Sequence, residues 1–148
     1  MKTRTGIFLI VISIVLAGEL HKVDSQDIQT SQIEANVPDE KVFDSILKRD
    51  LEKFFSNMSR GKTEVSYELL RKAPTQAGVA YPKFYLWVTA KKDGKVIHEG
   101  AIRVAAIERK EFEITDYLSK EDIRRSSGTL KKIFPQVLCE KILAKAYE

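Results

Sequence analysis

The sequence predicts an α+β domain: a long N-terminal helix packed on a four-stranded antiparallel meander, with one or two C-terminal helices. Three observations predict it. Apolar residues recur at three- and four-residue steps between 38 and 58. The period then falls to two, with turn residues between the runs. The helical period returns after residue 119. A chain of 148 residues is long enough for one domain with a core, placed here at 37–148.

In the first helix, Pro38 suits the opening turn, and Asp39 and Glu40 complement the positive end of the dipole. Val42, Phe43, Ile46, Leu47, Leu51, Phe54, Phe55 and Met58 form a broad apolar stripe, and Gly61 signals the stop. "TEVSYELLR" alternates Val65, Tyr67 and Leu69 on one face. "KAPTQAGVAYP" is a loop punctuated by Pro74, Gly78 and Pro82. The clearest stretch follows: "YPKFYLWVTAKKDGKVIHEG" is a strand, a tight Asp93-Gly94 turn and a return strand reaching about Ile107. A two-residue turn places His98 opposite Thr89, and Trp87 opposite Gly100, where a ring can cover bare backbone. Phe84, Leu86 and Val88 share the face expected to meet the long helix. Tyr85, Trp87 and Thr89 share the other, which either faces solvent or lies under the C-terminal helix. After "ERK" comes a fourth strand, "EFEITDYL". Ser119 and Asp122 resemble a capping box, "RRSSGT" breaks the pattern, and Pro135 opens the last helix.

The chain starts with "MKTRT" and an apolar run of 13 residues, "GIFLIVISIVLAG". A spanning helix needs about 20 apolar residues, so 1–18 reads as a secretory signal peptide, or alternatively as a short anchor through 6–18. Residues 19–36 are polar without a sustained period and read as a flexible tether, with His21 solvated on it. The expected location is therefore periplasmic or secreted. Removing Lys2 and Arg4 from the 25 basic residues leaves 23, against 21 acidic. That balance gives little attraction to nucleic acid. Cys139 is the only cysteine, so no internal disulfide forms, and its apolar neighbours suggest a buried thiol.

The order of long helix and four-strand meander resembles the cystatin-like or NTF2-like class of folds over residues 38–119. The resemblance rests on element order, not on a residue motif. It implies a helix laid across a curved sheet, an α+β layer pair, and in NTF2-like proteins a cavity between the two. The protease-blocking cystatins carry a Gln-Val-Val-Ala-Gly type hairpin. "TQAGVAY" has similar letters in another order and sits before the hairpin, which argues against inhibition.

No phosphate loop, Cys-x-x-Cys pair, His-Glu-x-x-His run or serine-nucleophile elbow is present, and no cofactor or metal is implied. Asn57-Met58-Ser59 matches the glycosylation triplet. His98, with Asp116 to orient it, is the candidate for proton transfer; a half-exposed, hydrogen-bonded sheet histidine is the plainer reading. Tyr85, Trp87 and His98 are the candidate binding residues, and Tyr67 and Tyr81 add aromatic surface. Arg103 needs an anion if it points inward; outward, the plainer reading, it is an ordinary sheet-edge charge. Arg124, Arg125, Lys131 and Lys132 are expected on a solvated helix face. The function expected is an exported, non-enzymatic binding module for a protein partner or a small apolar ligand, touching membrane only through a retained N-terminal segment. The alternative is a small NTF2-like enzyme using His98 with an acidic residue.

Overall fold

The computed structural model describes residues 25–148; the expected signal and His21 lie outside the described residues. The elements are α1 (Ser25–Asn36), α2 (Glu40–Ser59), β1 (Glu64–Leu69), β2 (Lys83–Lys92), β3 (Lys95–Ile107), β4 (Glu111–Ser119), α3 (Lys120–Arg125), α4 (Ser127–Ile133) and α5 (Gln136–Tyr147). The fold is α+β, with an antiparallel sheet in the order β1-β2-β3-β4.

The expected tether is helical over its second part. The last residue of α1, Asn36, is buried and fastens the β3–β4 turn. Its carbonyl accepts from the Arg109 amide at 2.8 Å, and its carboxamide oxygen accepts from the Glu108 amide at 3.1 Å. That turn carries Glu108 and Arg109 at φ 47° and 62°, a left-handed conformation costly for side chains of this kind.

α2 begins one residue after Asp39, so Pro38 precedes the helix and is buried rather than opening it. Leu47, Leu51 and Phe55 are fully buried and cluster with Leu86, Val88, Ile102 and Val104 of the sheet. Phe43 packs edge-on against Phe84 and Phe112, with centroids 5.1 and 5.0 Å away. The helix stops at Arg60, which takes the left-handed position at φ 50°. Gly61 then returns its amide to the Ser56 carbonyl.

A bulge corrects the expected register of the hairpin, and a second lies between β3 and β4. The Asp93-Gly94 turn forms as read, with φ 52° and 76°. However, the partners change from Lys91↔Val96 to Ala90↔His98, leaving Ile97 as an extra residue. Thr89 therefore faces Glu99, and Trp87 faces Ala101 rather than Gly100. Gly100 has a different reason to be glycine: a Cβ there would lie 2.1 Å from the Leu118 carbonyl oxygen of β4. A second extra residue, Thr115, separates Arg103↔Asp116 from Val104↔Ile114.

The expected layer pair is a three-layer arrangement instead. The second face of the sheet carries Tyr85, Trp87 and Ala101. It is covered by Ile123 of α3, Leu130 of α4, and Leu138, Cys139, Ile142 and Ala146 of α5. Helices on both faces explain why β2 is buried almost continuously instead of alternating. α3 opens on the expected cap, with the Ser119 hydroxyl accepting from the Asp122 amide at 3.1 Å.

Candidate functional site

His98 stands on the α2 face of the sheet. Its ring stacks on Phe55 with centroids 5.6 Å apart and planes 29° from parallel, and its Nε2 lies 3.1 Å from the Ser59 hydroxyl. Ser59, the third residue of the Asn57 triplet, is thus turned inward, while Asn57 is exposed on the last turn of α2. The bulge at Ile97 sets this orientation. With strict alternation from the turn, His98 would have shared a face with Thr89 and Trp87.

Asp116 is on the opposite face. Its carboxylate accepts from Arg103 Nε at 2.7 Å. Arg103 also donates to the Thr115 hydroxyl at 3.1 Å and to the Ile133 carbonyl at 3.0 Å. The inward arginine therefore finds its anion within the protein, and the pair anchors the end of α4 to the sheet. Nearby, Lys83 is held below the usual lysine range by partial burial and then by the Arg103 charge. The sheet separates His98 from Asp116, so the expected acid–base pair does not converge.

Tyr85 and Trp87 are 5% and 7% exposed. The Tyr85 hydroxyl shares a 2.6 Å hydrogen bond with Thr75, and its ring meets Phe134. Trp87 donates from Nε1 to Glu99 at 3.2 Å, and Lys120 holds the other Glu99 oxygen at 3.1 Å. These aromatics are core beneath the C-terminal helices, not an exposed recognition face.

One edge of that face remains open. Ser66, Glu68 and Thr89, with the margin of Trp87 and part of Tyr67, line an open depression of about 230 Å³. Lys141 and Lys145 of α5 close one side by pairing with Glu68, at 3.0 and 2.5 Å. These contacts hold the Glu68 carboxyl below its usual range, the Lys145 hydrogen bond being the larger cause. On the other face the Tyr67 hydroxyl donates to Asp44 at 2.8 Å. Burial and that carboxylate push the Tyr67 phenol well above its usual range.

The depression adjoins the β1 edge of the sheet, one of its two edges, the other being β4. The Leu70 amide donates to the Tyr85 carbonyl, and antiparallel pairs alternate from there. The backbone groups of Val65, Tyr67 and Leu69 therefore point away from β2, with no backbone partner among the described residues. Sequence reasoning missed this site because Ser66, Glu68 and Thr89 look like routine outward residues. The available signal was that β1 is short and ends the sheet, so one edge stays unpaired.

Among the described residues no group of three or more His, Cys, Asp or Glu side chains is placed to hold a metal ion. No helix there is long and apolar enough to cross a membrane. No family model, curated protein or solved structure matches the chain.

Proposed function

We propose that the chain is an exported, non-enzymatic binding module whose partner is an extended protein segment laid along β1. The observation that carries this reading is the unpaired β1 edge beside an open depression of mixed polarity. An added strand would bond to the outward groups of Val65, Tyr67 and Leu69, and alternate side chains would lie beside Ser66 and Glu68 and reach over them toward Thr89. The open, part-polar lining suits a peptide better than a small apolar ligand. Export is supported by the charged start and short apolar run of 1–18. Kinship with the cystatin-like or NTF2-like class is supported by element order alone, and the helical layer over Tyr85 and Trp87 goes beyond it.

Enzymatic use of His98 has less support. Its ring is stacked on Phe55 and bonded to Ser59, and the carboxylate meant to orient it serves Arg103. The test is capture of a partner from an extracytoplasmic extract by the full chain and two variants. Thr89→Arg, which fills the depression, abolishes capture, whereas His98→Ala retains it. A hydrolytic or isomerase turnover lost in His98→Ala would reverse the assignment.

A further inference from the structure

The tip of the β2–β3 hairpin and the end of α2 make one end of the domain, and the chemistry there is not balanced. The two are joined by the His98–Ser59 contact and by Lys92 Nζ, 3.4 Å from the Ser59 carbonyl. Arg60, Lys62, Lys91, Lys92 and Lys95 gather at this end, against Asp93 and Glu64. Glu64 faces Lys91 across the β1–β2 pair, but the two form no ion pair among the described residues.

Lys92 and Lys95 are direct cross-strand partners. Like charges so placed oppose hairpin formation, and Lys95 has no carboxylate partner among the described residues. An anion from outside would relieve that repulsion.

The same end exposes apolar side chains. Met58, Val96 and Ile97 are 44%, 53% and 36% exposed. Met58 and Ile97 are the chain neighbours of the bonded pair Ser59 and His98, so they share this end. β4 reaches only as far as Gly100↔Ser119 and β1 only as far as Glu64↔Lys91, so the hairpin tip from Lys92 to Lys95 projects beyond both. The bulge at Ile97 leaves consecutive apolar residues exposed where alternation would turn one inward.

We propose that this end is a docking surface for an anionic lipid bilayer. The lysines and Arg60 meet the headgroups, while Val96, Ile97 and Met58 enter the shallow apolar boundary beneath them. Exposed apolar residues beside a projecting cationic tip fit a lipid surface better than an acidic protein, which would need the charges but not the insertion.

The test is co-sedimentation of the full chain with vesicles of neutral phosphatidylcholine, and with the same lipid containing phosphatidylglycerol. The N-terminal apolar run adds affinity for both, so the informative quantity is the ratio of anionic to neutral partitioning. Each lysine near an anionic surface is worth roughly fivefold. The variant Lys62→Gln/Lys95→Gln therefore lowers that ratio by about 25-fold. Val96→Asp lowers anionic binding with the fold unchanged by circular dichroism, and Lys131→Gln/Lys132→Gln on α4 leaves the ratio near wild type. Raised salt weakens the preference. A wild-type ratio of one overturns the proposal, as does a loss confined to the α4 variant. Lys95-dependent capture by immobilised polyglutamate without any lipid preference also overturns it, assigning the patch to an acidic protein.

Discussion

The two faces of the sheet are built by opposite strategies. One is covered by the single helix α2, whose 20 residues bring Leu47, Leu51 and Phe55 onto Leu86, Val88 and Ile102. The other is covered by three short helices that each contribute only a few residues, such as Ile123, Leu130 and Ile142. A long helix announces its buried stripe through repetition. Helices of six and seven residues complete fewer than two turns and leave almost no period to read. The face under α2 is therefore legible in the residues, whereas for the other face the sequence leaves solvent exposure and cover by the last helix both open, and cover is what forms.

The largest effects come from treating the faces as equivalent cores. Trp87→Ala should cost about 3–5 kcal/mol and Leu86→Ala about 2–5 kcal/mol, read by denaturant unfolding. A Trp87→Ala loss below 1 kcal/mol would restore the exposed-face reading. Gly100→Ala comes next. Its Cβ would meet the β4 backbone at 2.1 Å, so overpacking should cost about 1–3 kcal/mol or more. A neutral result would mean that β3 and β4 are further apart here.

Asn36→Ala sharpens the comparison at the far end of the sheet. It leaves the Glu108 amide without its partner and should cost about 1–3 kcal/mol. Faster hydrogen exchange at Glu108 than at Ile102 would place the loss in the turn.

The smallest effect concerns two neighbouring residues of β1 that fasten opposite layers. Tyr67 holds α2 through Asp44, and Glu68 holds α5 through Lys141 and Lys145. Both carboxyls are depressed in the folded protein, Asp44 chiefly by the Tyr67 hydrogen bond. Their contribution is present above the unfolded carboxylate range and is lost as pH falls through the lower folded values. Both carboxylates are half exposed or more, so the change is modest. Glu68→Gln should flatten the acid dependence of α5 protection and leave α2 protection unchanged, as followed by hydrogen exchange.

Other features divide along the same line of physical cause. Local chemistry was readable: Asp93-Gly94 turned the hairpin, and Ser119 capped α3. Arg103 is expected outward as a sheet-edge charge, yet it turns under α4 and pairs with Asp116. What escaped was set at a distance or by a single extra residue. No local signal marks Ile97 as a bulge, yet it sends His98 to the α2 face and away from Asp116. α1 is polar along most of its length, so nothing in its sequence shows that Asn36 fastens a turn 72 residues later. The candidate partner edge depends on β1 being last in the sheet, a property of topology rather than of any residue.

Trp87 is the only tryptophan, so its fluorescence tests the central claim directly: the aromatic face of the hairpin is core. In the native protein its emission should be blue-shifted and largely shielded from iodide, with quenching appearing only as urea unfolds the chain. Native quenching as efficient as that of the unfolded chain would contradict the account and return Tyr85 and Trp87 to the surface.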